Sequence, residues 1–223
     1  AASFIRNDKD ILEIKKHLGD SKIQLIAKIE DQQGVDNFES ILKVSDGIMI
    51  ARGDMGSEIP FERLPIIQKE IIYACNQAAK PVITATNMLE SMVEAPFPTR
   101  AEITDVANAV LDGSDSLMTS AETSSGKYPV VSVETMTKIS KESEKHIEAA
   151  LIEPLQLEDK KINVAMANAA YEMYMELEDI TKIVVFTQTG ATARIISRLN
   201  IPVDTIAFVM NDTIKRQLNL TKG

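Results

Sequence analysis

Lys28 and Glu30 stand two residues apart at the end of the apolar run Leu25-Ile26-Ala27-Lys28-Ile29-Glu30. Side chains in a strand alternate faces, so this spacing aims a cation and an acid into one shared site. A second run ends in Ile50-Ala51-Arg52-Gly53-Asp54, where Gly53 lets the backbone approach a ligand and Asp54 adds a further carboxylate. Two carboxylates from neighbouring strands are hard oxygen ligands suited to Mg²⁺, which completes its shell with water and phosphate oxygens. The third run closes with Thr84-Ala85-Thr86 and the fourth with Thr119-Ser120-Ala121-Glu122, which contribute hydroxyls and another acid. Further on, Thr187-Gln188-Thr189-Gly190-Ala191-Thr192-Ala193 joins a strand pattern to a helix pattern. Hydroxyls, a glycine turn and a helix N-terminus together make a phosphate cradle. Taken singly, each has a plainer reading: an ion pair at a strand end, a turn cap, strand hydroxyls, a capped strand-to-helix turn. Arg52-Gly53-Asp54 also reads as an integrin tripeptide, but the chain carries no mark of secretion.

The elements that must position these residues follow from the hydrophobic pattern. Up to about residue 150, short apolar runs at Ile23 to Ile29, Gly47 to Ala51, Pro81 to Ala85 and Ser116 to Ser120 alternate with longer helical patterns. Their Ile, Val and Ala content shows little alternation, as expected of parallel strands covered on both faces. Ser3-Phe4-Ile5 reads as a remnant strand before a helix that Asp8 could cap, making about five strands in all. An eight-strand β/α barrel takes about 250 residues, so the pattern predicts part of one, with opening strands missing. In such barrels chemistry gathers at the C-terminal ends of the strands, where the residues above lie. Val130 to Leu151 reads as the last barrel helix and Glu153-Pro154-Leu155-Gln156-Leu157 as a linker, giving domains at 1–154 and 155–223. Beyond it the pattern predicts a helix (Ile162 to Leu177), a strand (Ile183 to Thr187), a helix (Thr192 to Leu199), a strand (Thr205 to Met210) and a short helix from Asp212. The fold class is therefore α/β: a partial (β/α)8 barrel followed by a partial open α/β domain.

Composition narrows the chemistry. Cys75 is the only cysteine, which excludes an intramolecular disulfide and a thiolate zinc site. His17 and His146 are the only histidines, and neither sits in a metal or triad spacing. A formal charge of -9 without a basic patch, and no Trp, disfavour nucleic-acid binding. No apolar run of about 18 residues predicts a membrane span, and a cytoplasmic location is the default expectation.

Several segments, in order, carry a resemblance. Lys28-Ile29-Glu30 is followed by Ala51-Arg52-Gly53-Asp54-Met55-Gly56-Ser57-Glu58-Ile59-Pro60 and by Lys80-Pro81-Val82-Ile83-Thr84-Ala85-Thr86-Asn87-Met88-Leu89-Glu90-Ser91-Met92. Pro98-Thr99-Arg100-Ala101-Glu102 and Asp105-Val106-Ala107-Asn108-Ala109-Val110-Leu111-Asp112-Gly113 come next. These long motifs closely resemble the pyruvate kinases, across essentially the whole chain. The resemblance implies phosphoryl transfer from phosphoenolpyruvate to ADP, giving pyruvate and ATP in glycolysis, with Lys28 stabilising the transferring group and the developing enolate. It gives Glu30 and Asp54 to Mg²⁺ or Mn²⁺, the Gly53 and Asp54 backbone N–H groups to the substrate carboxylate, and Thr86 to substrate near the proton-transfer face. Thr86, Ser120 and Glu122 could relay that proton through water, although the family usually has Gly where this chain has Ala121. By the same resemblance Thr187, Thr189, Gly190 and Thr192 hold a phosphate of a sugar-phosphate effector.

The resemblance also implies what lies elsewhere: K⁺ ligands, a phosphate-contacting arginine and a lid domain before Ala1, the rest of the C-terminal domain after Gly223, and a homotetrameric parent. The chain alone is then expected to be inactive. Two other readings stay open: a metal-dependent aldol-type lyase acting on pyruvate, and a non-catalytic barrel remnant serving effector binding or assembly.

Overall fold

The computed structural model describes residues 1–148 and 161–222. They form two compact units, Ala1–Cys75 with Pro81–His146, and Asn76–Lys80 with the chain from Ile147 onward. The expected linker at 153–157 and the boundary at 154/155 lie outside the described residues, while the last barrel helix, expected from Val130 to Leu151, spans Pro129–Glu144 and stops at the Lys145 turn.

In the first unit four parallel strands, β1 (Ile26–Ile29), β2 (Gly47–Ala51), β3 (Val82–Ala85) and β4 (Ser116–Met118), follow one another across the sheet in chain order. Helix α1 (Asp8–Leu18) precedes β1, and α2 (Gln32–Asp36) and α3 (Phe38–Val44) connect it to β2. Helices α4 (Arg52–Glu58) and α5 (Leu64–Gln77) lead to β3, α6 (Arg100–Leu111) leads to β4, and α7 (Ala121–Ser124) and α8 (Pro129–Glu144) follow. Every residue of β2 is buried, which is why its sequence shows no polar alternation. Ile29 pairs with Ile50, Ala51 with Ala85, and Ala85 with Met118. This register brings the C-terminal ends of all four strands to one edge of the sheet. Fully burying an isoleucine is worth about 1.5–3 kcal/mol, so Ile29, Ile48 and Ile50 alone anchor that edge strongly.

Two expectations at the start of the chain are also corrected. Ser3 to Ile5 is not a strand: a single parallel bridge joins Ala2 to Ala27, after which Phe4 takes φ 53°. Its N–H is taken by the Glu30 carboxylate, so a side chain replaces the ladder partner. The cap of α1 is Asn7, whose side chain accepts from Lys9 N, while Asp10 reaches back to the Asn7 N–H and closes a capping box.

The second unit holds α9 (Lys161–Glu176), β5 (Lys182–Thr187), α10 (Ala191–Ser197), β6 (Asp204–Val209) and α11 (Asp212–Leu218), close to the predicted spans. Strands β5 and β6 are parallel and in register from Lys182–Asp204 to Thr187–Val209. One sheet face packs with Ala167, Ile195, Ile196 and Leu199 through Val185, while Phe186 and Phe208 stack at 5.1 Å on the exposed face. Among the described residues no helix is long and apolar enough to cross a membrane.

Candidate active site

The period-two spacing at the end of β1 does what it predicts. Lys28 Nζ lies 2.6 Å from Glu30 Oε1, with the lysine side chain 23% exposed and the carboxylate 1% exposed. Nζ also donates to Ser3 Oγ at 3.0 Å, and the second Glu30 oxygen accepts the Phe4 N–H. A carboxylate so deeply buried is tolerable because a cation and an amide satisfy it; removing one partner of such a pair typically costs about 3–5 kcal/mol. The next residue, Asp31, caps α2 through Gly34 N and pairs with Arg6 Nε at 2.8 Å. The loop carrying Glu30 is thereby fastened from both sides.

At the end of β2 the chain turns directly into α4, so Arg52, Gly53 and Asp54 lie in its opening turn and not on an extended strand end. The Asp54 carboxylate is exposed there, and it makes no ion pair among the described residues. Gly53 N donates to Thr86 Oγ1 at 2.7 Å. A Cβ on Gly53 would stand 3.3 Å from that same oxygen, so a side chain there would press Thr86 back by a few tenths of an ångström. Thr86 stands one residue past β3 with φ 68°, and Asn87 follows with φ 53°. Such angles are rare for a β-branched residue. Thr84, two residues earlier, is fully buried and shares a hydrogen bond with Ser114, remote from these groups in role.

Beyond β4, Glu122 is fully buried and accepts from Leu89 N at 3.0 Å and from Ser120 N at 2.6 Å. Both of its oxygens therefore bind backbone, and the carboxylate ties the loop after β3 to the loop after β4. Ala121 opens α7 without a positive φ, so this turn does not need the glycine usual at that position. In the second unit Thr187 Oγ1 accepts Gly190 N at 3.1 Å and Thr189 Oγ1 accepts Ala191 N at 3.4 Å. Gly190 sits at φ 77°, and Arg194 Nη2 donates to the Thr189 carbonyl. Thr192 lies in the first turn of α10.

Sequence reasoning missed Arg52. Its guanidinium makes a two-pronged contact with Asp105, Nη1 to Oδ1 and Nη2 to Oδ2, each at 2.7 Å. Nη1 also reaches Gln68 Oε1 at 3.2 Å, and Nη2 donates to the Thr86 carbonyl at 2.8 Å. Gln68 continues to Asp112, which also pairs with Lys69. This network lines an open groove of about 670 Å³ between α5 and α6. The partners lie far apart in sequence, so only the Asp105 to Gly113 segment, one of the motifs that carry the family resemblance, could have signalled it.

The chemistry available is that of charge control. No group of three or more His, Cys, Asp or Glu able to hold a metal occurs among the described residues. A cation held by Glu30 and Asp54 would have two carboxylate ligands and fill its shell with water and phosphate, the pattern suited to Mg²⁺.

Comparison with known proteins places this geometry. A family model described as pyruvate kinase, barrel domain, matches residues 1–133, and one described as pyruvate kinase, alpha/beta domain, matches residues 164–223. The chain is 45% identical to a pyruvate kinase of Bacillus licheniformis and 47% identical to one of Dictyostelium discoideum, in both cases over its full length. It covers 39% and 46% of those proteins. A crystal structure of a pyruvate kinase from Cryptosporidium parvum superposes with a TM-score of 0.87 at 37% identity, over all of this chain and 48% of that one. The chain thus spans less than half the length of these relatives.

Proposed function

This chain belongs to the pyruvate kinase family, and from that premise we propose that the full-length protein transfers a phosphoryl group between phosphoenolpyruvate and ADP. The observation that carries the reading is the Lys28–Glu30 pair at the end of β1, next to a strand whose turn presents Gly53 N–H and Asp54. Glu30 and Asp54 would hold Mg²⁺ or Mn²⁺, which supplies neutralisation of phosphate charge when bound. Lys28 stabilises the phosphoryl group as the enol-oxygen-to-phosphorus bond breaks and the bond to the ADP terminal phosphate oxygen forms. The amides of Gly53 and Asp54 seat the substrate carboxylate. The enolate left behind takes a proton at carbon to give pyruvate, delivered through water held by the hydroxyls of Thr86 and Ser120. Glu122 serves this relay by fixing the Ser120 loop through backbone hydrogen bonds.

Dependence on K⁺ is proposed for the full-length protein, with ligands outside this chain. The Thr187 to Thr192 loop is proposed to take a phosphate of a sugar-phosphate effector, and a homotetramer in the cytoplasm is the proposed setting. The test is a lactate dehydrogenase coupled assay of the full-length protein. Turnover that needs both phosphoenolpyruvate and ADP supports the reading. Aldol cleavage giving pyruvate without ADP, or no turnover at all, overturns it.

A further inference from the structure

We propose that Arg52, clamped by Asp105, is the positioning residue that sets where the Thr86 hydroxyl stands. The inference rests on the reading above, in which Gly53 N–H and Thr86 meet the substrate. Thr86 and Asn87 both hold left-handed backbone angles, φ 68° and 53°, which the chain does not adopt without support. That support is visible. Arg52 donates into the Thr86 carbonyl from Nε at 3.3 Å and from Nη2 at 2.8 Å, and Nη2 also reaches Met88 Sδ at 2.8 Å. A guanidinium is a rigid planar fork, so binding Asp105 through two nitrogens fixes the plane in which it can grip that carbonyl.

The hydroxyl is fixed in turn. Thr86 Oγ1 donates to the Ala85 carbonyl at 2.6 Å and accepts the Gly53 N–H at 2.7 Å, so its proton and a lone pair are both committed. These two bonds hold the Gly53 N–H and the Thr86 hydroxyl side by side, in the arrangement in which the reading above has them meet the substrate. The chain Asp105 to Arg52 to Thr86 to Gly53 therefore joins α6, α4 and the end of β3 at the point where substrate binds. Removing the Asp105 charge should loosen the fork, release the Thr86 turn and leave the Gly53 amide without the partner that positions it for substrate.

The experiment uses the full-length protein with Asp105→Asn, which keeps the shape of the side chain, and Arg52→Lys, each alone and combined with Thr86→Val. Two readouts are taken: KM for phosphoenolpyruvate against KM for ADP, and hydrogen-exchange protection of the Gly53 amide. Asp105→Asn is expected to raise KM for phosphoenolpyruvate about tenfold with KM for ADP nearly unchanged. It should also lower Gly53 protection about tenfold, and add almost nothing to either change in the Thr86→Val background. Thr86→Ser, which keeps the hydroxyl, should retain most of the wild-type KM. A merely structural clamp would lower thermal stability and the active fraction while leaving both KM values and the Gly53 amide alone. That outcome overturns the proposal, as does full additivity with Thr86→Val. If the wild type shows no phosphoenolpyruvate turnover, the functional reading fails. Gly53 protection in Asp105→Asn then decides the positioning claim by itself, an unchanged value overturning it.

Discussion

Glu30 and Asp54 carry the same functional group in opposite surroundings: Glu30 is 1% exposed and bound to Lys28, while Asp54 is open to solvent. A cation recruited by both would therefore compete with Lys28 for Glu30 but meet Asp54 unopposed. Glu30→Gln and Asp54→Asn should each raise the Mg²⁺ concentration needed for half-maximal activity of the full-length protein by about tenfold or more, since each removes an anionic oxygen from the shell. Metal titration of activity checks this, and unchanged curves for both variants contradict the assignment. At this scale the sequence was legible where spacing alone decides orientation, as at Lys28 and Glu30. It was not legible where the partner is remote: Glu122 read as a solvent-linked acid, yet Leu89 N, 33 residues away, takes one of its oxygens. Likewise nothing local marks Arg52 as the partner of Asp105, 53 residues on.

Elements were read most securely where every position shares one environment. Strand β2 is buried throughout, and its predicted span from Gly47 to Ala51 is the observed one. Ends were harder, because they depend on which side chain reaches which orphan amide, as Asn7 in place of Asp8 shows. Helix α6 offers a test of such a terminus. Thr99 accepts from Glu102 N, and Glu102 accepts from Thr99 N and Oγ1 and from Ser91 N and Oγ. Burial pushes the Glu102 carboxyl upward, but the hydrogen bonds from Ser91 and Thr99 outweigh it and hold it below the ordinary value of 4.5. A carboxyl lowered in the folded state adds stability at pH above that ordinary value, and the contribution is lost as pH falls through the lowered pKa. Denaturant unfolding from pH 7 down to about pH 3 should thus show a shallower acid loss in Glu102→Gln than in wild type. Thr99→Ala should cost about 1 kcal/mol at neutral pH. Identical pH profiles for Glu102→Gln and wild type would show that the carboxylate contributes nothing to the cap.

For the whole molecule, the parallel β/α rhythm predicted an α/β fold with part of a barrel and an open α/β unit, and the fold and family both agree. The count of strands was too high by one because Phe4 leaves the sheet for Glu30, a contact that no hydrophobic pattern encodes. Within the first unit β1 and β4 are the outer strands of the sheet, and the chain spans less than half the length of its relatives. The isolated 223-residue chain is accordingly expected to show no phosphoenolpyruvate turnover even with Mg²⁺ and K⁺ in excess, because misplacement by about 1 Å can already cost about a hundredfold in rate. Turnover by the purified chain that disappears in its own Lys28→Met variant would refute that expectation. The most direct test of the central claim is made on the full-length protein: kcat and phosphoenolpyruvate affinity of Lys28→Met, measured by coupled assay and by equilibrium binding. The lysine charge matters most as the phosphoryl group moves, so kcat should fall by about a thousandfold or more while the dissociation constant changes by less than about tenfold. A variant that turns over at near wild-type rate, or that loses substrate binding in proportion to kcat, would contradict the assignment of Lys28 to the transition state.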